Sequence, residues 1–142
     1  MKTLRKIIYS MIVIFLLIMS FFVMPIIIDM SGISFEWRRS FFLIVAFLGL
    51  VFLILGGVLI WKARKEKGRL KLWMMITGFS AISPLVFSVL HNVFYGFGIA
   101  FEKLAFIFEP LHAISFIISI IIAPIGFIIG MIGIFRNIRK KK

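Results

Sequence analysis

Four stretches without a single Asp, Glu, Lys or Arg set the terms on which this chain can fold: Ile7 to Ile28, Phe41 to Trp61, Leu72 to Tyr95 and Leu111 to Phe135, of 22, 21, 24 and 25 residues. Each reaches the roughly 20 apolar residues that carry an α-helix across a hydrocarbon layer about 30 Å thick. Backbone amides find no water inside that layer, so a spanning segment is either a helix or a strand of a closed barrel. The two-residue alternation of barrel strands is missing from all four runs. The pattern predicts an all-α integral membrane protein, a single membrane domain over residues 1–142 built as a four-transmembrane-helix bundle. Composition points the same way. With 63% hydrophobic residues and a mean hydropathy of +1.18, the chain exceeds the roughly 45–50% apolar content of soluble domains. A globule of 142 residues has too small a core to hide that many Ile, Phe and Leu side chains, so a lipid bilayer is the first expected partner.

The formal charge of +12 comes from 17 Lys and Arg against 5 Asp and Glu, and it lies between the runs. Lys2, Arg5 and Lys6 precede the first; Lys62, Arg64, Lys65, Lys67, Arg69 and Lys71 separate the second from the third; Arg136, Arg139, Lys140, Lys141 and Lys142 follow the fourth. The other two connections hold only Arg38, Arg39 and Lys103, together with four of the five acids, Asp29, Glu36, Glu102 and Glu109. Basic residues of short loops are retained on the cytoplasmic side. The charges therefore predict a multi-pass protein of the cell membrane with both termini cytoplasmic. Tyr9, Trp61 and Trp73 fall near the inner boundary so defined, and Trp37 and Tyr95 near the outer one, as interfacial aromatics should. Nucleic acid is not an expected partner, because three short flanking segments do not make one basic face. They suit an anionic leaflet, where each cation contributes about 1 kcal/mol, with docking of an acidic cytoplasmic partner as the other use. The first run exceeds a signal-peptide core of about 7 to 15 residues and lacks a small-x-small exit, so it is expected to remain as an anchor. Without cysteine the chain has no disulfide, thiolate metal site or Cys nucleophile.

The connection from Gly96 to Pro110 is unusually apolar for a loop. Phe97, Phe101, Leu104 and Phe108 share one side of a helical wheel and Glu102 and Glu109 another. The expectation is a short interfacial helix on the outer leaflet, or a loop packed over the mouth of the bundle.

In the fourth run, Ser115, Ser119, Ala123, Gly126, Gly130 and Gly133 follow one another at spacings of 4, 4, 3, 4 and 3. They form one small-residue face containing a GxxxG element, a pattern that lets two membrane helices approach closely. A groove admitting a lipid tail or substrate is the alternative use. Ala46, Gly49 and Gly56 make a weaker counterpart on the second run, a partner face within the chain or in a homo-oligomer. The third run carries a polar stripe of Thr77, Ser80, Pro84, Ser88, His91 and Tyr95, bordered by Asn92, which is expected to face the bundle interior. Pro84 and Pro124 each deny a carbonyl its donor at similar depth. Paired bends there would make a cavity or hinge, or be simple tolerated kinks.

His91 and His112, the only histidines, both fall near the outer boundary with Glu109 close by. Imidazole and carboxylate suit zinc, and imidazole also suits haem iron or a proton relay. No ligand-spacing motif accompanies them, so no resident cofactor is expected, with a zinc or haem site at His91, His112 and Glu109 as the alternative to a structural pair. Phosphate loops, nucleophile elbows and paired intramembrane aspartates are missing, and no acidic or basic residue lies within a span to couple ion flow. The expected function is that of a non-enzymatic structural, accessory or interaction protein, assembling through its Gly and Ser faces with itself or a larger membrane complex. A metal- or haem-binding protein and an oligomeric, holin-like pore are the alternatives.

Overall fold

The computed structural model describes residues 2–30 and 38–140. Helix α1 spans Lys2–Met30, α2 Arg38–Ala63, α3 Gly68–Ala100, α4 Ala105–Ile117 and α5 Ala123–Lys140. A single 3-10 turn, Glu102–Leu104, precedes α4, and a π-helical segment, Ile118–Ile122, joins α4 to α5 without a break. There is no strand among the described residues. Four segments are long and apolar enough to cross a membrane: Lys2–Phe21, Leu43–Ala63, Gly68–Ala100 and the α4–α5 rod, Glu102–Arg139. The expected connection holding Glu36 and Trp37, and the last two lysines, Lys141 and Lys142, lie outside the described residues.

Helices α2 and α3 are joined by a tight turn, closed by the bonds Arg64 N–H to Trp61 O, Lys65 N–H to Lys62 O and Glu66 N–H to Ala63 O at 3.3, 3.1 and 3.1 Å. Gly68 leaves the turn at φ 64°, a left-handed conformation that costs any residue with a Cβ about 1–2 kcal/mol. The Lys65 ammonium sits 4.9 Å from the Trp61 ring centroid, which anchors the turn to the end of α2.

Packing is concentrated at the end of the molecule that holds this turn and both termini. One buried cluster joins Leu4, Ile8 and Met11 of α1, Phe52, Leu59 and Ala63 of α2, Leu70, Met74 and Ala81 of α3, and Phe127, Met131, Ile134 and Ile138 of α5. Phe15, Phe52 and Phe127 meet at its centre, with ring centroids 4.6 to 6.2 Å apart. Beyond Ala81, α3 has no buried residue, and α4 has only Ser115.

The expected interfacial helix is not a separate element. Gly96 to Ala100 continue α3, Glu102–Leu104 make the one 3-10 turn, and Ala105 to Pro110 open α4. Neither Gly96 nor Gly98 takes a positive φ, so nothing stops α3 at the polar boundary. Phe97, Phe101, Leu104 and Phe108 run along an α3–α4 hairpin, with Phe94 and Phe97 each beside Phe108 at 6.5 and 5.5 Å between centroids, while Phe97, Phe101 and Leu104 stay exposed. At 33 residues and about 1.5 Å per residue, α3 is roughly 50 Å long, well beyond the hydrocarbon thickness of about 30 Å.

Candidate functional site

The polar stripe of α3 and the small-residue face of α4–α5 meet along one antiparallel seam. Its inner half is a series of side chains seated on glycines. A Cβ at Gly133 would strike the Trp73 indole; one at Gly130 would come within 2.9 Å of the Thr77 amide nitrogen; one at Gly126 would reach 2.5 Å from the Ser80 hydroxyl. Close backbone approach of this kind holds helices together where lipid offers no hydrophobic drive. Thr77, fully buried, donates its hydroxyl to the Trp73 carbonyl at 2.8 Å, so its polarity is satisfied within its own helix.

At mid-seam the two proline irregularities are tied together. Ser119 donates to the Pro84 carbonyl at 2.9 Å, and the hydroxyls of Ser119 and Ser88 lie 3.0 Å apart. A hydroxyl has one proton, so Ser88 is the donor in that second bond and the relay runs Ser88 to Ser119 to Pro84. Ser119 lies inside the π segment, where the Ala123 amide bonds the Ile118 carbonyl five residues back. Pro124 follows at once and has no amide to offer the Ile120 carbonyl; widening the turn ahead of it also relieves the ring's clash with that carbonyl. The wide turn has a second effect. In an ideal α-helix the 4-4 spacing from Ser115 to Ala123 drifts by about 80°, which one inserted residue cancels at about 100° per residue. Ser115, Ser119 and Ala123 are accordingly all buried.

The end of the seam away from the chain termini holds the histidines. Their ring centroids lie 3.8 Å apart with planes inclined by 22°. His91 Nδ1 is 3.2 Å from the His112 carbonyl oxygen; a carbonyl only accepts, so Nδ1 carries the proton and Nε2 is left open. Tyr95 stands 5.4 Å from the His112 ring and Phe116 5.3 Å from that of His91. Asn92 turns back to donate to the Ser88 carbonyl at 2.8 Å. Glu109 lines a cavity of about 140 Å³ with Phe94, Tyr95, Gly98, Ile99, Phe108 and His112.

The suggested ligand set is therefore brought close but not convergent. Ring nitrogens bond within the ring plane, and planes 3.8 Å apart inclined by 22° intersect on the order of 8–10 Å away, far outside a zinc–nitrogen bond of about 2.0–2.1 Å. Bis-imidazole haem ligation needs nitrogens that face each other across the iron, which a stack does not offer. Among the described residues no three His, Asp or Glu side chains group as a metal site.

Of the small residues singled out by spacing, Gly49 lies off the seam with nothing within 4 Å of its Cβ direction, whereas Gly56 crosses α3 at Gly78, where a Cβ would come 2.8 Å from the Gly78 carbonyl. Gly78 went unnoticed in the sequence because it is adjacent to the polar stripe; the Gly78, Ala81 pair at spacing 3 is the signal that marks it. The sequence marks Trp73 only as an interfacial anchor and Phe108 only as part of a surface helix, and Phe94, inside the third run, carries no mark of its own. Compared with protein-family models, with curated proteins and with solved structures, the chain matches none.

Proposed function

We propose that this chain is a small, non-enzymatic multi-pass protein of the cell membrane, a four-helix bundle with both termini cytoplasmic, that acts as an accessory or interaction component. Its association surface, toward a second copy or a larger membrane complex, is the α3–α4 hairpin. The Gly and Ser face expected to serve that purpose is taken up by α3 of the same chain, which moves the association surface to the part of the molecule left uncovered.

One observation carries this reading. Counting about 20 residues from Lys71 along α3 and back from Arg136 along α5 puts the outer limit of the hydrocarbon near His91 and Ser115. Above that level stands an apolar hairpin tip with Ile99, Phe101 and Phe106 at 63%, 53% and 71% exposure. Large apolar surface outside the hydrocarbon marks an interaction site. The test is a photoreactive amino acid at Phe106, with Leu16 as the lipid-facing control, activated in native membranes. A discrete protein adduct at position 106 alone supports the reading, its mass telling a second copy from another protein; lipid adducts only, at both positions, contradict it.

A second reading draws on the fixed Nδ1 proton of His91, an arrangement typical of metal-bound imidazole. It requires further ligands from an associated chain. Metal analysis and an absorption spectrum of the natively purified assembly test it; stoichiometric metal or a haem band supports it, and neither contradicts it.

A further inference from the structure

The seam between the first and last helices is less complete than the others. Helix α1 packs chiefly on α2, and α5 on α3. Between α1 and α5 the link is made by large side chains, Phe15 to Phe127 and Tyr9 to Phe135, with centroids 4.6 and 6.4 Å apart. At the terminal end the seam opens into a cleft of about 200 Å³, lined by Arg5, Ile8 and Tyr9 from α1 and by Phe135, Ile138 and Arg139 from α5.

Two arginines from opposite ends of the sequence thus line one cleft with four apolar or aromatic side chains, and among the described residues no carboxylate lines it. Lys2, Lys6 and Arg136 add to the positive potential, and Glu66, in the α2–α3 turn, is the single acid at this end of the sequence pattern. Arg5 lies two residues outside Ile7 and Arg139 four outside Phe135, the limits of the first and fourth apolar runs, so in a bilayer they reach the level of the lipid phosphates. Retention of basic loops on one side needs only their number. It does not explain a cleft lined by two arginines, the side chain suited to bidentate phosphate binding, together with apolar and aromatic side chains.

We propose that this cleft binds one anionic phospholipid of the leaflet at the terminal end. Its phosphodiester is held between Arg5 and Arg139, and its glycerol and first acyl carbons lie against Ile8, Tyr9 and Phe135. The lipid completes the α1–α5 seam, and by linkage it stabilises the folded chain. This site is independent of any association through the α3–α4 hairpin.

The test uses the full chain purified in mild detergent, with bound lipid counted by native mass spectrometry. Phosphatidylglycerol and phosphatidylcholine of matched acyl chains differ only in the headgroup, and glycerol phosphate supplies a phosphate, as the more highly charged monoester, without acyl chains. One phosphatidylglycerol per chain is expected, preferred over phosphatidylcholine by on the order of 10- to 30-fold, with glycerol phosphate not retained. Arg5→Gln/Arg139→Gln is expected to abolish the preference, and Lys62→Gln/Lys67→Gln, which removes the same charge outside the cleft, to leave it unchanged. Arg5→Lys/Arg139→Lys keeps the charge but loses the guanidinium fork, and is expected to weaken the preference several-fold even if the Gln pair fails to fold. Equal retention of the two lipids, equal loss in the two Gln pairs, full preference in the Lys pair, or retention of glycerol phosphate as tight as that of the lipid would each overturn the proposal.

Discussion

At the level of Trp73 and Gly133 every long helix contributes to a buried cluster, and side chains rest directly on glycine backbone. At the level of His91 and His112 the same two helices meet through stacked imidazoles, hydroxyls and phenylalanine rings, and α3 buries nothing. Both levels use one continuous seam. The difference lies in residue size: glycines at 126, 130 and 133 let side chains of α3 rest on the α5 backbone, whereas at His112 and Phe108 the contact with α3 is ring against ring. One membrane helix pair thus uses backbone contact at one end and ring contact at the other, with the π-helical segment Ile118–Ile122 between them.

The largest effect should come from filling a glycine in the tight half. Gly133→Leu, which drives a side chain into the Trp73 indole, is expected to cost about 3 kcal/mol or to abolish folding. Gly49→Leu, facing open space, should stay within about 0.5 kcal/mol. Thermal unfolding in detergent compares them, and equal costs would erase the distinction between the seam and an uncommitted helix face. Close to it in size, Phe127→Ala removes the ring shared by Phe15 and Phe52 and should destabilise by about 3 kcal/mol. Phe106→Ala, at the exposed hairpin tip, is expected to leave the melting temperature unchanged while reducing photo-crosslinking to neighbouring proteins from a photoreactive amino acid placed at Ile99, also exposed at the tip. A smaller change tests the junction of the two halves. Ser119→Ala deletes the relay from Ser88 to the Pro84 carbonyl and should cost about 0.5–1.5 kcal/mol, with faster hydrogen exchange around residues 84–88. If exchange there is unaltered, the relay does not join the two irregular segments.

Much of this architecture is legible in the sequence. Uncharged runs locate the four long helices because hydrocarbon tolerates almost nothing else, and the wheel positions of Thr77, Ser80, Ser88 and His91 on one side, with Ser115 to Gly133 on the other, identify the two faces that meet. The π segment is not legible there: the same 4-4 spacing with a proline, at Ser80, Pro84 and Ser88, stays α-helical in α3. Helix ends are harder to read. Gly96, Gly98 and Pro110 suggest a loop, yet glycine only permits a turn, and the aromatic pairs of the hairpin hold both helices in register through it. The geometry of the histidines lies beyond spacing altogether, because depth brings the rings together while local rotamers decide that they stack. The arginine cleft is equally hidden, its halves being separated by nearly the whole chain.

The most direct test of the intramolecular seam exploits a chain with no cysteine of its own. The Cβ direction of Gly126 ends 3.6 Å from Ser80 Cβ, within the Cβ separation of a disulfide, about 3.5–4.5 Å. Ser80→Cys/Gly126→Cys, oxidised mildly in native membranes, is expected to give an internal disulfide in a monomer. Gly126→Cys alone should give no dimer. A disulfide-linked dimer from the single variant, or free thiols throughout the double variant, would contradict a small-residue face turned inward onto α3.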